Sequence, residues 1–174
     1  EHFGVVPDII CLAKGIASGL PLGAMIARED IMTWPRGAHA STFGGNPVSC
    51  VAALATIDLV EQSLMANAAS MGKLLKELLN DVAQRRPQIG DVRGMGLMVG
   101  AELVRPDGTC PPPANVELQR AMIQACFHRG LLLLGCGEST VRFCPPLVVD
   151  EGHVRTDVAI FEEALGEVSG CEKI

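Results

Sequence analysis

The apolar positions near the start of the chain fall into short runs with almost no alternation. Residues 8–12 and 22–27 have the pattern typical of strands covered on both faces, as in parallel or mixed sheets of α/β proteins. Asn46 followed by Pro47 predicts the start of a helix that continues to about residue 62. This helix is apolar nearly all round as far as Ile57, so we expect it to be buried.

Further along, helical stripes alternate with short strands. A spacing of three and four predicts an amphipathic helix over about 67–84, and the glycine-rich segment 89–104 predicts a strand pair or one bent strand. A helix is expected over about 116–128, with strands at 131–134 and 141–144. A last helix presents one apolar face made of Val154, Val158, Phe161, Leu165 and Val168.

This change of pattern divides the chain near residues 60–65 into a buried α/β part and an α+β unit of about a hundred residues. Between them, residues 36–47 are rich in glycine and small polar side chains and predict a loop, as do residues 105–115 with their three consecutive prolines.

Charge and composition exclude several classes of partner. The net charge is −6 with no basic run, which argues against nucleic acid and against anionic membrane surfaces. No uninterrupted apolar run reaches the roughly eighteen residues of a membrane span. The seven cysteines form no C-x-x-C pair, which favours reduced thiols and a cytoplasmic location, and their spacing matches no zinc pattern, so no metal is predicted.

Lys14 follows the first apolar run directly and lies among glycines and small residues. A lysine just beyond a strand is most often a surface lysine. Glycines at 15, 19 and 23 nevertheless let the backbone approach a flat ligand, and an amine in apolar surroundings favours its neutral form. Such an amine is a nucleophile that can form a Schiff base with an aldehyde, so both interpretations stay open.

The loop before Asn46 and a strand near residue 142 each offer a group for an anion. Ser41 and Thr42 supply hydroxyls next to a predicted helix N-terminus, which suits a phosphate, although a capped helix start has the same letters. Arg142 is flanked by apolar residues and followed by two prolines. Its charge must face solvent, as on an edge strand, or meet an anion such as a substrate carboxylate.

Four segments, in this order and spacing, resemble class III (ω-type) pyridoxal-phosphate aminotransferases, particularly the 4-aminobutyrate and the ornithine or acetylornithine branches. The resemblance covers essentially the whole chain and implies an α/β fold of the fold-type I transferases. Residues 1–63 would be the C-terminal part of the large cofactor-binding domain, and residues 64–174 the small α+β domain. The segments are CLAKGIASGLPLGAMIARE, HASTFGGNPVSCVAALATIDLVE, VRGMGLMVGAEL and VRFCPPLVV.

The resemblance also implies a role for each candidate residue. Lys14 occupies the position of the lysine that forms the Schiff base with pyridoxal 5'-phosphate and moves a proton between substrate and cofactor. Thr42, with Ser41 beside it, occupies the position that binds the cofactor phosphate of the neighbouring subunit, which implies a homodimer with shared active sites. Arg142 occupies the position that holds the α-carboxylate of the amino acid or 2-oxo acid.

We therefore expect transamination between an ω-amino or α-amino acid and a 2-oxo acid, with 2-oxoglutarate as the expected acceptor. In complete family members an aspartate that pairs with the pyridinium nitrogen and a ring-stacking aromatic lie upstream of the segments matched here. We accordingly expect this chain to be a C-terminal portion with little or no turnover alone. The alternatives are an aminomutase or decarboxylase of the same fold, or a non-catalytic dimerising fragment. Because upstream residues largely read the donor's distal group in this family, no particular amino donor is predicted.

Overall fold

The computed structural model describes residues 2–109 and 113–170, and the chain divides into two compact units between Ser63 and Leu64. Residues 110–112 of the predicted proline loop lie outside the described part. The strands are β1 (Ile9–Leu12), β2 (Ala24–Ala27), β3 (Ile89–Met95), β4 (Met98–Leu103), β5 (Leu134–Cys136) and β6 (Thr140–Phe143). The helices are α1 (Pro47–Leu59), α2 (Met65–Arg85), α3 (Val116–His128) and α4 (Glu151–Gly170), with a π-helical turn at Val60–Leu64.

The first unit contains an antiparallel strand pair and one helix. β1 and β2 pair in a register that runs from Ile9 opposite Ala27 to Leu12 opposite Ala24, and a 3-10 turn, Lys14–Ala17, follows β1. α1 begins where the sequence predicts, because the Asn46 side chain caps it and Pro47 occupies its first turn.

The sequence predicts burial for α1 and for both strands of the first unit, and both predictions are wrong for the described structure. β1 is exposed throughout and β2 is at most half-buried, and the two strands pair antiparallel. Val48, Val51 and Leu54 are 66%, 66% and 63% exposed. The apolar composition of a helix shows that its faces suit a core, whereas burial depends on what packs against them. Ser49 and Ala53 are the only buried residues of α1 in the part of the chain that the structure describes.

The second unit is built around a four-stranded antiparallel sheet in the order β3-β4-β6-β5. β3 and β4 form a hairpin, which settles the choice between a strand pair and one bent strand. Side chains alternate along the strands, so one face is apolar and the other polar. The apolar face carries the buried residues Val99, Ala101, Leu103, Val141 and Phe143.

Helices α2, α3 and α4 complete the core of the second unit. Phe161 of α4 is fully buried and meets Phe143 edge to face, with ring centroids 5.2 Å apart. α2 approaches the β3–β4 turn so closely that a Cβ at Gly72 would lie 2.0 Å from the carbonyl oxygen of Gly96. The predicted amphipathic helix and the predicted last helix are both confirmed by these packing faces.

The strand predicted at 131–134 begins later, at Leu134. Leu131 and Leu133 are buried while Leu132 is exposed, so the segment alternates as a strand would. Its backbone, however, pairs with no neighbouring strand before Leu134 in the part of the chain that the structure describes. The apolar pattern of residues 131–133 therefore indicates side chains that pack in the core and not a hydrogen-bonded strand.

By length and composition alone, one described helical run, Pro47–Arg85, is apolar enough to cross a membrane, with a mean hydropathy of 1.4 over its best window. Core helices of soluble proteins satisfy the same criterion.

Candidate active site

Lys14 lies at the start of the 3-10 turn that leaves β1, and its backbone adopts a left-handed conformation with φ 56°. This region is unfavourable for a residue with a Cβ, so the turn must be held by its surroundings. Two features hold the turn in place. Ala17 is buried, and the Ser18 hydroxyl forms a hydrogen bond of 2.8 Å with the Thr56 hydroxyl of α1. The Lys14 side chain is exposed, and its amine forms no hydrogen bond or ion pair with any described residue.

Ser41 and Thr42 lie side by side in the loop that leads to α1, and both are exposed. The loop is tightened by a bond from the Gly44 amide to the Ser41 carbonyl at 3.3 Å and by one from the Asn46 amide to the Phe43 carbonyl at 3.1 Å. Neither bond uses a side-chain hydroxyl, so both hydroxyls stay open to an anionic ligand.

The start of α1 itself offers an anion fewer donors than its sequence suggests. The Asn46 carboxamide oxygen accepts from the amides of Val48 and Ser49 at 3.0 and 3.2 Å, and Pro47 has no N–H. The helix dipole remains, but its first free amides are taken. A phosphate at this loop would therefore depend mainly on the hydroxyls of Ser41 and Thr42.

A groove of about 480 Å³ lies within the first unit, between the ends of the strand pair and this loop. Ser41 contributes to its lining, whereas Thr42 and Lys14 do not. His39, which the sequence reasoning did not single out, also lines the groove and packs against Trp34 with ring centroids 5.8 Å apart. Apolar walls for a flat ring and a hydroxyl for an anion match the chemistry of pyridoxal phosphate. The remaining lining residues are Leu12, Pro21, Leu22, Gly23, Ala24, Met25, Phe43 and Gly44.

Arg142 belongs to the second unit, on the inner strand β6, where it pairs with Gly100 of β4 and Leu134 of β5. The alternative of an arginine on an edge strand is therefore excluded. The side chain is half-buried, and its Nε is buried without a hydrogen-bond partner. An unsatisfied buried donor on a permanent cation costs free energy unless a ligand pairs with it. Among the two readings of the sequence, this geometry favours an anion.

A second arginine on the same face of the sheet was missed by the sequence reasoning. Arg93 of β3 donates from Nη1 to Asp91 at 2.7 Å and to Glu102 at 2.5 Å. Its Nη2 lies 3.4 Å from the Thr140 hydroxyl of β6. The hydrogen bonds that Arg93 donates to Asp91 and Glu102 raise the pKa of Arg93 above its ordinary value. Period-2 alternation in "GDVRG" could have indicated this face, but not the partners of Arg93.

Lys14, Ser41 and Thr42 thus belong to one unit and Arg142 to the other. An unpaired amine and an unpaired guanidinium are groups suited to carbonyl chemistry and to carboxylate binding. The mixed α/β fold and these two groups are consistent with the family that the sequence resembles. A sequence model of the family described as Aminotransferase class-III matches residues 1–165, and the chain belongs to this family.

Curated proteins that are similar in sequence to this chain are also named aminotransferases. The chain is 41% identical over 174 residues to a 4-aminobutyrate aminotransferase of Mycobacterium leprae, with 96% of this chain and 38% of the relative covered. It is 39% identical over 161 residues to a diaminobutyrate--2-oxoglutarate aminotransferase of Rhizobium meliloti, with 88% and 34% covered. Acetylornithine aminotransferases match as well, which confirms the branches that the sequence resembled.

Solved structures confirm the fold class. A phospholyase from Arthrobacter in complex with phosphoethanolamine matches with a TM-score of 0.87 and 30% identity, over 95% of this chain and 40% of that one. Aminotransferases of known structure match in the same way. The chain spans about 40% of the length of the proteins that it matches.

Proposed function

We propose that this chain forms part of a pyridoxal-phosphate-dependent aminotransferase that exchanges an amino group between an ω-amino or α-amino acid and a 2-oxo acid. The match of the class-III family to residues 1–165 carries the proposal. 2-Oxoglutarate is the proposed acceptor. It suits an arginine that binds an α-carboxylate, and it is named for one relative.

Lys14 is the proposed catalytic residue. Pyridoxal phosphate, when bound, supplies an electron sink for the negative charge that develops on the substrate carbon bearing the amino group. The Nζ of Lys14 would hold the cofactor covalently until the donor amine displaces it. The freed amine would then take the proton from the donor carbon that bears the amino group and, in the second half of the reaction, give a proton to the carbon that was the carbonyl carbon of the acceptor. The unpaired state of this amine supports the role, since no side chain in the described part of the chain competes for it. Its exposure differs from the apolar surroundings that the sequence predicts.

Ser41 and Thr42 are the proposed phosphate ligands. Their hydroxyls donate to phosphate oxygens, and the dipole of α1 adds a favourable field. By resemblance to the family, Thr42 would serve the cofactor of a second subunit, so we propose a homodimer. Arg142 is the proposed carboxylate residue, because its planar guanidinium suits bidentate pairing and its Nε has no partner among the described residues.

The experiment that tests Lys14 is covalent trapping. In the full-length protein that carries this chain, borohydride reduction after addition of pyridoxal phosphate should attach the cofactor to the peptide containing Lys14. Lys14→Ala should abolish this label, and the matched variant Lys73→Ala, which removes an exposed lysine of α2, should retain it. Attachment at another lysine, or no attachment at all, would sink the assignment.

The alternative reactions on this fold can be separated from transamination by acceptor dependence. An aminotransferase consumes 2-oxoglutarate in proportion to the donor, whereas a decarboxylase, an aminomutase or a lyase does not. The isolated 174-residue chain is proposed to have little or no turnover. Gel filtration with an absorbance scan would identify a merely dimerising fragment, which would associate without any cofactor band.

A further inference from the structure

The polar face of the sheet in the second unit carries two arginines in one row. Arg93 of β3 and Arg142 of β6 both lie opposite Gly100 of β4. Residues opposite each other in antiparallel strands share a face, and neighbouring strands lie about 4.8 Å apart. The two arginine side chains therefore leave the same face on either side of a single glycine.

The glycine between them has a steric reason. A Cβ at position 100 would come within 2.7 Å of the Cγ2 of Thr140. Because Gly100 has no side chain, Arg93 can cross β4 and bring its Nη2 to 3.4 Å from the Thr140 hydroxyl on β6. Arg93 thus reaches the strand that carries Arg142.

The two arginines differ in how their charge is balanced. Arg93 pairs with two carboxylates, those of Asp91 and Glu102. Arg142 pairs with none among the described residues, and its Nε is buried without a partner. A guanidinium held by two carboxylates has a local net charge of −1, which repels a further anion, whereas Arg142 keeps its full positive charge.

We propose that Asp91 and Glu102 mask Arg93 from carboxylate ligands, so that Arg142 is the one arginine of this row open to a substrate carboxylate. Asp91 and Glu102 are then specificity-determining residues that never touch the substrate. Their negative charges repel the substrate carboxylate from Arg93, so that the substrate binds in one orientation, with its carboxylate at Arg142. The identity of the ligand at Arg142 rests on the proposed function, but the masking of Arg93 does not.

The test uses the 174-residue chain labelled with 15N and follows the Nε–Hε signals of its arginines during titration with 2-oxoglutarate. In the unsubstituted chain the Arg142 signal should shift and the Arg93 signal should not. In the double variant Asp91→Asn, Glu102→Gln both signals should shift, with an apparent Kd at Arg93 at least tenfold below the lower limit that the unsubstituted chain sets. Arg142→Gln identifies the Arg142 signal.

One control and one substitute variant accompany this test. Glu117→Gln releases Arg105 from an exposed ion pair elsewhere in the same unit and should leave the Arg93 signal unresponsive. The single variant Glu102→Gln, which keeps the Asp91 pair, gives a milder form of the test should the double variant fail to fold.

The masking proposal is overturned if Arg93 responds equally in the unsubstituted chain and in the variants, or if it responds in none of them. A silent Arg142 together with an Arg93 signal that responds only after unmasking would refute the proposed role of Arg142 and leave the masking intact. The failure of one proposal is therefore distinguishable from the failure of the other.

Discussion

The two units of the chain have similar apolar content but bury it very differently. Among the described residues, Ala17 and Ala53 are the only buried hydrophobic side chains of the first unit, whereas the second unit holds a continuous core around Phe161, Leu75 and Met122. In the first unit the strand residues Ile9, Ile10 and Ile26 are exposed.

This difference shows that apolar sequence and a self-contained core are separate properties. The second unit has three helices against one face of a sheet, which is the arrangement of a domain that can bury its own apolar surface. The first unit presents the candidate cofactor groups on a strand pair and one helix with little core of its own. Its local geometry must rest on turns and caps, such as the Ser18–Thr56 bond and the Asn46 cap.

The largest expected effect comes from deleting a core ring in the second unit. Phe161→Ala should lower the free energy of unfolding by about 3–5 kcal/mol, because it leaves a cavity beside Phe143. The comparison variant Ile26→Ala, at a side chain that is 57% exposed in the first unit, should cost less than about 1 kcal/mol.

Two spectroscopic probes distinguish the units in that experiment. The single tryptophan, Trp34, lies in the first unit, whereas most of the helix lies in the second. Urea unfolding by far-ultraviolet circular dichroism should shift strongly for Phe161→Ala, while the Trp34 fluorescence transition should move little. Equal shifts of both probes would show that the two units unfold in one cooperative transition, which contradicts this expectation.

A smaller loss is expected where α2 touches the β3–β4 turn. Gly72→Ala would place a Cβ 2.0 Å from the Gly96 carbonyl oxygen, a backbone atom that cannot move aside, so we expect a loss of about 1–3 kcal/mol. Gly166→Ala in α4 is the matched control. Its Cβ would meet only the flexible end of Arg86, at 3.2 Å, and should be neutral or stabilising by up to about 1 kcal/mol. Thermal unfolding of both variants measures the difference, and equal losses would contradict the packing argument.

Much of the fold could be predicted from sequence because its signals are local. The Asn46-Pro47 start of α1, the stripe of α2 and the bounds of α3 depend on capping and on periodicity within one element. Pairing and burial depend on contacts distant in sequence. The prediction therefore missed the exposure of α1 and the late start of β5.

The candidate site divides in the same way. Lys14, Thr42 and Arg142 were found through motifs, and their roles stay predictions. The inner position of Arg142 and the masking pair at Arg93 could not be predicted, because both follow from a strand order in which β6 inserts next to β4. His39 was part of a quoted motif, but its place in the groove depends on the fold of the loop.

An asparagine caps one helix in each unit, so the same substitution, Asn→Ala, can be used to compare the stability of the two units. The side-chain oxygen of Asn115 accepts from the Leu118 amide at 3.1 Å at the start of α3, and that of Asn46 accepts from two amides of α1. Asn115→Ala should shift the circular dichroism transition by about 1–2 kcal/mol, whereas Asn46→Ala should affect mainly Trp34 fluorescence, by about 1 kcal/mol. A large effect of Asn46→Ala on the circular dichroism transition would contradict the expectation that each cap stabilises mainly its own unit.

The smallest expected effect is a pH dependence confined to the second unit. Hydrogen bonds from the His153 amide and imidazole to Asp150, at 2.9 and 2.7 Å, lower the pKa of this carboxyl below its ordinary value. A group whose pKa is depressed in the folded state stabilises it above the unfolded pKa, near 3.9, and this stabilisation is lost as the pH falls through the folded value. Asp150→Asn should therefore lower the melting temperature slightly at pH 7, and its deficit should shrink towards zero below about pH 4.

In a His153→Ala background the pH-dependent part of that deficit should be smaller, because one of the two bonds to the carboxylate is gone. A deficit that stays constant between pH 7 and pH 3 would show that Asp150 acts only as a neutral cap.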